Sequence, residues 1–371
     1  MVEPIRLGVI FGGRSGEHEV SLSSATSVLD TLDSKKYQVT QIGITLEGDW
    51  LVGENVLTAL KAHKHENLVT AVMLPTPSRS QVYAVEKVER NEILKVFAEL
   101  DVIFPVLHGT YGEDGTMQGL FELNNLAYVG AGVLGSSVGM DKALFKDVMI
   151  ANHIPVAPSI LVHQSDLVSM GRVLERVEEF GNFPLFVKPA NMGSSVGITK
   201  CQDIEETAAG ILEAARFDRR VLIEKGINAR EIELSVLGNQ APHVSIPGEI
   251  RPTAEFYSYE AKYHDDSSEL LIPAPITKEQ TELLQEFALK AYRAIDCEGM
   301  ARVDFLMDKE TDEIFLNEVN TIPGFTPISM YPKLWEASGL TYAELIDELI
   351  RLALKRKEEK DQLVRKYEFE A

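Results

Sequence analysis

The chain has 371 residues, of which 45% are hydrophobic and 25% charged, and its formal net charge is −21. These values are typical of a soluble globular protein with two or three domains, and the acidic balance argues against nucleic acid or an anionic membrane as the main partner. No apolar run approaches the ~20 residues that cross a bilayer, and the two cysteines form no CxxC pair. We expect a cytoplasmic protein, because the N-terminus predicts a β-strand rather than a signal peptide.

The first third of the chain alternates between short apolar runs and amphipathic stretches, with glycines at the ends of the runs. This alternation predicts a parallel α/β sheet, which we assign to an N-terminal domain of residues 1–134. The stretch 52–95 has a weak pattern, and we interpret it as a variable insertion. The predicted elements are strands at 5–11, 38–45 and 101–107 and a helix at about Val20–Leu32.

The rest of the chain predicts a smaller central domain, residues 135–220, and a C-terminal α+β domain, residues 221–371. The segment 231–238 alternates between polar and apolar residues, which favours an antiparallel strand. The polar stretch 250–273 is a candidate lid, and the charge-rich tail predicts a helix with a solvated face. The other predicted elements are helices at Lys142–Asn152, 278–295 and 341–366 and strands at 183–189, 219–227, 301–307 and 313–320.

The predicted C-terminal hairpin carries polar residues within apolar runs. Side chains on one face of a strand recur every two residues, so Arg302 shares a face with Asp304. On the other strand, Glu318 shares a face with Asn320. If the strands pair, two carboxylates, an amide and a guanidinium converge, and oxygen ligands of this kind suit Mg²⁺. The alternative is an arginine–carboxylate network at a domain boundary.

A loop of small residues follows the predicted strand that carries Lys188. Its glycines, Gly193 and Gly197, allow backbone N–H groups to approach an anion, and Ser194 and Ser195 add hydroxyl donors. The loop lacks the closing Lys-Ser/Thr of a P-loop. It predicts either a phosphate contact or an ordinary hairpin turn.

Two other segments carry weaker signals for nucleotide binding. Asp141 can cap a helix whose first residue, Lys142, adds to the attraction of the helix N-terminus for anions. Glu224, Lys225 and Glu231 lie at the ends of two apolar runs, where an acidic residue can bind ribose hydroxyls. A capped surface helix and ordinary charged strand ends are the alternatives.

The segment FGGRSGEHEVS places three glycines after the first predicted strand. Their spacing does not fit G-x-G-x-x-G, so the glycines can simply turn the chain. Glu17 in this loop can hold an ammonium group. His108 ends another predicted strand, where open α/β sheets bind ligands, although a lone histidine is more often structural.

Eight segments in order resemble the D-alanine–D-alanine ligase family of the ATP-grasp superfamily, and together they cover nearly the whole chain. Any one of them could mislead, whereas eight in order are specific. The resemblance implies a three-domain ATP-grasp architecture and a homodimer. The segments are GGRSGEHEVS, HGTYGEDG, MDK, FVKPANMGSSVG, EKGINAREIE, FYSYEAKY, ARVDF and NEVNTIPGFTPISMYP.

The resemblance implies a nucleotide between the central and C-terminal domains, covered by the loop 193–197. It implies two Mg²⁺ or Mn²⁺ ions on Asp304, Glu318 and Asn320. The positions that it implies for ATP binding are Lys142, Lys188, Ser194, Ser195, Glu224, Lys225, the Ile227 backbone, Glu231, Lys262 and Asn317.

The implied reaction converts the carboxylate of one D-alanine to an acyl phosphate, which the amine of a second D-alanine attacks. The dipeptide would serve peptidoglycan synthesis. Ser194 would be linked to the lid through Glu17 and Tyr263, and the pair Lys262-Tyr263 favours an amine nucleophile. The other implied substrate contacts are Glu17 with the first ammonium group, His108 near the first carboxylate, Arg302 and the Gly324 N–H with oxyanions, and Ser329 and the Met330 backbone with the second carboxylate.

Two other function classes compete with this one. A nicotinamide dehydrogenase would use the early glycines, but their spacing does not fit and Asp304, Glu318 and Asn320 would have no role. A non-catalytic nucleotide-binding protein would keep the nucleotide site without needing an intact metal set.

Overall fold

The computed structural model describes residues 3–193, 196–251 and 269–364. Three β-sheets follow one another along the chain, each with helices packed against it. None of the helices within the described ranges is long and apolar enough to cross a membrane. The helices are α1 (His18–Thr31), α2 (Val56–Lys61), α3 (Thr116–Leu123), α4 (Val133–Met140), α5 (Lys142–Ala151), α6 (Met170–Phe180), α7 (Ile204–Ala214), α8 (Lys278–Ala294), α9 (Met330–Ala337) and α10 (Tyr342–Asp361), with a 3₁₀ helix at Gln164–Ser169.

The first sheet contains the predicted parallel strands and an extension that the sequence pattern did not predict. Its strands are β1 (Ile5–Gly12), β2 (Tyr37–Ile44), β3 (Trp50–Val52), β4 (Val69–Met73), β5 (Gln81–Val88), β6 (Asn91–Glu99), β7 (Val102–Val106) and β8 (Ala127–Tyr128). They are arranged in the order β6-β5-β4-β3-β2-β1-β7-β8.

The prediction of a parallel sheet is confirmed for only half of this sheet. Strands β2, β1, β7 and β8 pair in parallel, whereas β2 to β6 pair antiparallel. The stretch 52–95, which we interpret as a variable insertion because of its weak pattern, contains α2, β4, β5 and part of β6. The connections from β4 to β5 and from β5 to β6 are too short for a parallel crossover, so these strands return antiparallel.

The second and third sheets are antiparallel, as predicted for the segment 231–238. The second has the order β11-β10-β12-β9 and the third the order β16-β15-β13-β17-β18, with β14 on β13. The domain limits near residues 134 and 220 stay a prediction. The strands are β9 (Ser159–His163), β10 (Leu185–Pro189), β11 (Thr199–Cys201), β12 (Arg220–Lys225), β13 (Ala229–Gly238), β14 (His243–Val244), β15 (Gly248–Arg251), β16 (Glu269–Leu271), β17 (Gly299–Asp308) and β18 (Ile314–Asn320).

The C-terminal helix α10 returns to the first sheet. A capping box between Thr341 and Glu344 starts the helix. Leu345, Ile346 and Leu349 are buried in the same core cluster as strands β1 and β7. The predicted helix is confirmed, but the interpretation of it as a solvated face covers only its charged side. The apolar side of α10 packs against strands β1 and β7 of the N-terminal sheet.

Arg356 on α10 provides a test of this attachment. Its guanidinium donates to the carbonyl oxygens of Gly130 at 2.6 Å and Tyr128 at 2.7 Å, and it lies 4.3 Å from the Tyr128 ring centroid. Arg356→Ala leaves two carbonyls unpaired, so we expect the free energy of unfolding to fall by about 2–4 kcal/mol.

The control for this prediction is Arg351→Ala on the same helix, which removes an exposed ion pair with Glu348. Such pairs contribute less than about 1 kcal/mol. Urea unfolding of both variants measures the difference, and equal losses of stability would contradict the proposed attachment.

Candidate active site

The β17–β18 hairpin brings the predicted metal ligands together. Asp304 lies directly opposite Glu318 in the antiparallel register, and Arg302 lies opposite Asn320. Asn320 Nδ2 donates to Asp304 Oδ2 at 2.8 Å. The prediction that these four side chains converge on one face of a hairpin is therefore confirmed.

A β-bulge shifts the register of this hairpin, and sequence reasoning missed it. Asp304 pairs with Glu318, but Phe305 pairs with Leu316, which leaves Asn317 as the extra residue on β18. A bulge changes the face to which the following side chains point. Leu316 and Val319 are both buried in the core, and the bulge between them turns Glu318 toward the site. The sequence contained a sign of this bulge, because the spacing of apolar residues in β18 changes from two to three after Leu316.

Arg302 is held between two carboxylates. Its Nε and Nη2 donate to Asp304 at 2.8 and 2.7 Å, and Nε also lies 2.9 Å from Glu233 Oε2. Burial alone would lower the pKa of Arg302, but the charges of Asp304 and Glu233 raise it well above its usual value. Glu233 was not among the predicted residues. Glu233 could have been predicted, because it lies two residues after Glu231 in an alternating strand and therefore on the same face.

The donor set of the hairpin fits a hard divalent cation. In residues 3–193, 196–251 and 269–364, no three His, Cys, Asp or Glu side chains form a metal-binding cluster. A metal here would therefore use the two carboxylates of Asp304 and Glu318, the amide oxygen of Asn320, and ligands from substrate or water. Mg²⁺ is commonly bound in this way, with one or two carboxylates plus phosphate oxygens.

The turn after β18 is held by residues of the loop after β7 and of helix α1, both next to the N-terminal sheet. Ile322 N–H donates to Glu113 Oε1 at 3.1 Å, and the Ile322 carbonyl pairs with His108 Nδ1 at 2.9 Å. Phe325 N–H donates to Ser24 Oγ at 3.2 Å. Gly324 therefore lies between two residues whose main chains are fixed.

These contacts determine the protonation of His108. Because a carbonyl only accepts, Nδ1 carries the proton, and Nε2 accepts from the Ser24 hydroxyl at 3.1 Å. Both ring nitrogens are thus engaged inside the protein. Burial lowers the pKa of His108, and the charge of Glu17 partly opposes that shift.

Glu17 lies where the N-terminal sheet meets the loop after β10. A Cβ atom on Gly109 would lie 2.4 Å from Glu17 Oε2, and one on Gly193 would lie 3.1 Å from the same oxygen. The two glycines thus leave room for this carboxylate. Gly12 and Gly13 turn the chain at the end of β1, with φ of 91° and 109°.

Glu113 is a second acidic residue of this region, and sequence reasoning missed it. Its Oε2 accepts from Gly109 N–H at 2.6 Å. Burial, reinforced by the negative charge of Glu17, raises the pKa of Glu113 to about 8. An acidic residue flanked by glycines after β7, in the segment HGTYGEDG, was the available signal.

Ser329 and Gly324 are neighbours in the structure. A Cβ atom on Gly324 would lie 2.9 Å from Ser329 Oγ. Ser329 Oγ accepts from Thr326 N–H at 3.1 Å and precedes helix α9, whose first residue is Met330. The Met330 side chain is buried against Leu334.

The predicted nucleotide contacts lie on the second sheet and at its junction with the third. Asp141 caps helix α5 by accepting from Leu144 N–H at 3.0 Å, as predicted. Lys142 Nζ donates to the Met192 carbonyl at 2.6 Å, which places it beside the predicted phosphate loop. Lys188 Nζ lies 3.0 Å from Glu224 Oε1.

Three further predicted contacts follow one another at this junction. Lys225 ends β12, and its ammonium group lies 5.2 Å from the Phe180 ring centroid. Ile227 is half-buried in the connection to β13, and Glu231 on β13 pairs in register with Leu306 of β17. Ser194, Ser195, Lys262 and Tyr263 lie outside the described residues, as does most of the candidate lid.

Comparison with known proteins gives consistent matches over the whole chain. A family model described as the D-ala D-ala ligase N-terminus matches residues 6–131, and one described as the C-terminus matches residues 148–351. The D-alanine–D-alanine ligase of Heliobacterium modesticaldum is 49% identical and that of a Thermoanaerobacter species 48% identical. These alignments cover 95% and 97% of this chain and 96% and 99% of the relatives.

Solved structures give the same result. The D-alanine-D-alanine ligase of Coxiella burnetii superposes with a TM-score of 0.85 at 36% identity, covering 98% of both chains. The VanG D-Ala:D-Ser ligase of Enterococcus faecalis superposes with a TM-score of 0.83 at 35% identity, covering 95% of this chain and 100% of that one.

The lowered pKa of His108 predicts a pH dependence of stability. As pH falls through about 6.5, the His108 imidazole binds a proton in the unfolded chain but stays neutral in the folded protein. The contribution of His108 to stability at higher pH is therefore lost. Glu113, whose raised pKa adds stability as pH falls, is present in both proteins, so the comparison isolates His108. Between pH 7 and pH 5 we expect the free energy of urea unfolding to shift downward more for the wild type than for His108→Gln. The exposed His243→Gln serves as control and should follow the wild type. Parallel profiles for wild type and His108→Gln would contradict the neutral, buried imidazole.

Proposed function

The chain belongs to the D-alanine–D-alanine ligase family, and we propose how its residues divide the work of that reaction. The enzyme joins two D-alanine molecules with consumption of ATP and releases D-alanyl-D-alanine, ADP and phosphate, which supplies the dipeptide for peptidoglycan. The observation that carries the assignment of roles is the convergence of Arg302, Asp304, Glu318 and Asn320 on one face of the β17–β18 hairpin. This face adjoins the turn that contains Gly324.

ATP binds between the second and third sheets. Several predicted contacts lie along this cleft, and their charges offset the acidic balance of the chain where a polyphosphate must bind. The described residues that would contact ATP are Lys142, Lys188, Glu224, Lys225, the Ile227 backbone, Glu231 and Asn317. Ser194, Ser195 and Lys262 have the same expected role and lie outside the described residues.

The family uses ATP with a divalent cation, and Asp304, Glu318 and Asn320 would hold two Mg²⁺ or Mn²⁺ ions. When bound, such ions neutralise phosphate charge and polarise the phosphoryl group. Arg302 now pairs with Asp304. If Asp304 holds a cation, Arg302 would keep Glu233 as its partner through Nε, and its terminal nitrogens would be available to a substrate oxyanion.

The first D-alanine would lie between Glu17 and the Gly324 turn. Glu17 binds the ammonium group of this D-alanine. The carboxylate oxygen of the same D-alanine attacks the γ-phosphorus of ATP, and ADP departs. Arg302 and the Gly324 N–H hold the oxygen on which negative charge develops. His108 orients this turn through Ile322, since both of its ring nitrogens are already bonded within the protein.

The second D-alanine would place its carboxylate at Ser329 and the Met330 N–H, next to Gly324. Its amine, after loss of a proton, attacks the carbonyl carbon of the acyl phosphate. The tetrahedral intermediate then collapses with cleavage of the carbon–oxygen bond to phosphate. Because an acyl phosphate hydrolyses in water, we assign closure of the site to the stretch 250–273, with Tyr263 linked to Ser194 and Glu17.

Two further assignments concern the molecule as a whole. We propose that the enzyme works in the cytoplasm, where ATP is available, and that it forms a homodimer. Strand β6 lies at the edge of the first sheet and exposes Ile93, Leu94, Val96 and Phe97. A long apolar edge strand is a site of association unless another chain covers it. A second copy of the chain is the simplest cover.

ATP turnover in the presence of D-alanine tests the proposed function. We expect phosphate release to require both D-alanine and Mg²⁺, with one dipeptide formed for each phosphate. Phosphate release that is indifferent to D-alanine would reject the ligase. Binding of ATP without turnover would favour a non-catalytic nucleotide-binding protein.

Glu318→Gln tests the metal site. It removes one negative charge from the candidate ligands, so we expect kcat to fall by at least about 100-fold at saturating ATP and Mg²⁺. Glu313→Gln, an exposed position next to the same strand, should leave kcat within about twofold. A near-normal kcat for Glu318→Gln would exclude a ligand role.

Leu94→Glu tests the proposed dimer. A charge on the exposed edge strand should dissociate the two copies, because burying an unpaired carboxylate at an interface is costly. Sedimentation of the wild type should give twice the 41.2 kDa mass of the chain, and that of Leu94→Glu should give one chain mass. Val168→Glu, at a lone exposed valine, should remain dimeric. A monomeric wild type would reject the dimer.

A further inference from the structure

Lys146 is a buried charge to which the reaction described above gives no role. Its side chain is 6% exposed on helix α5. Its ammonium group donates to the Ala157 carbonyl at 2.8 Å and lies 2.8 Å from Glu224 Oε2. Burial of a charged lysine lowers the stability of the folded protein unless the charge is paired or has a function. The position of Lys146 therefore needs a physical reason.

Glu224 is held by one lysine on each oxygen. Lys188 lies 3.0 Å from Oε1, on the side opposite Lys146. Burial alone would raise the pKa of Glu224, but Lys188 and Lys146 outweigh that effect and lower it. Burial lowers the pKa of Lys146, and the Glu224 carboxylate opposes that shift. We define Lys146, Glu224 and Lys188 as the triad.

The two lysines of the triad differ in their freedom to move. Lys146 is fixed on its far side by the carbonyl of Ala157. Lys188 is the penultimate residue of β10, just before the loop that follows residue 190, and its side chain is 14% exposed. A ligand arriving at this loop could therefore draw Lys188 away from Glu224, whereas Lys146 would stay.

The charges of the triad sum to one excess positive charge. If Lys146 neutralises Glu224, the excess belongs to Lys188 and is available to an anion. If Lys146 were absent, Lys188 and Glu224 would form a neutral pair. Moving Lys188 toward a phosphate would then leave a buried carboxylate without a partner, which opposes the movement.

We propose that Lys146 is a positioning residue that neutralises Glu224 from the buried side and thereby frees Lys188 to bind the phosphates of the nucleotide. The proposal rests on the proposed function, in which Glu224 meets the base and Lys188 the phosphates. It assigns a separate consequence to Lys146: the phosphates, and not the base, should lose affinity when Lys146 is removed.

Calorimetric titration with adenosine and with ADP, in EDTA and without metal, tests this directly. The measured quantity is the ratio of the two affinities, which reports the contribution of the phosphates. We expect Lys146→Met to lower the ratio by about tenfold or more, the scale of one charge-assisted hydrogen bond, while adenosine affinity stays within about threefold of the wild type. Lys278→Met, an exposed lysine on α8, should keep the wild-type ratio.

A double variant separates a charge effect from lost packing. Lys146→Met with Glu224→Gln leaves Lys188 as the one charged member of the triad, so the net charge equals that of the wild type. We expect its ratio of ADP to adenosine affinity to return to within about threefold of the wild type, although adenosine itself should bind more weakly. If Lys146→Met does not fold, Lys146→Gln takes its place, because it removes the charge and keeps a donor for the Ala157 carbonyl, and we expect the same loss of the ratio.

The outcomes distinguish the inference from the proposed function. A wild-type protein that binds neither adenosine nor ADP would reject the nucleotide site itself. A wild type that favours ADP, together with a Lys146→Met variant that keeps the full ratio, would overturn the role of Lys146 alone. Equal losses of adenosine and ADP affinity, or a double variant with a ratio as low as the single one, would mean that Lys146 merely packs.

Discussion

The active site depends on the fixing of one residue, Ile322, at both of its main-chain polar groups. Glu113 accepts from its N–H, and His108 donates to its carbonyl. Ile322 lies between Asn320, which ends the strand that we propose binds the metal ions, and Gly324, whose N–H we propose faces the reacting carboxylate. The loop after β7 therefore positions the turn that follows β18. Helix α10 packs against the N-terminal sheet and holds the same two regions of the chain together.

A second principle of the site is that two of its cationic groups, Arg302 and Lys188, have carboxylate partners before substrate arrives. Arg302 lies between Asp304 and Glu233, and Lys188 shares Glu224 with Lys146. Asp304 and Glu224 have roles in the proposed reaction. Glu233 and Lys146 have none and serve only to balance charge. Such an arrangement keeps buried charges compensated in the free enzyme and lets one charge change partners at low cost. It also explains how a chain of net charge −21 can bind a polyphosphate.

The sequence predicted the fold class and the convergence of polar side chains on the β17–β18 hairpin, but it did not predict features that depend on distant segments. Side chains alternate on strands, so the convergence of Asp304 and Glu318 followed from their spacing alone once the hairpin was predicted. The bulge at Asn317, the role of Glu113 and the packing of α10 depend on contacts between distant segments, which local periodicity does not contain. The antiparallel strands within 52–95 were missed because their exposed apolar residues break the alternation that marks a half-buried strand.

The central claim is that the carboxylate of the first D-alanine is phosphorylated before the peptide bond forms. Turnover with D-alanine labelled with ¹⁸O in its carboxylate, followed by mass spectrometry of the released phosphate, tests it most directly. The attacking carboxylate oxygen stays with phosphorus when the acyl phosphate is cleaved, so our account predicts one ¹⁸O atom in each phosphate formed. Phosphate that carries no label, at normal dipeptide yield, would contradict the acyl phosphate and the roles assigned to Arg302 and Gly324.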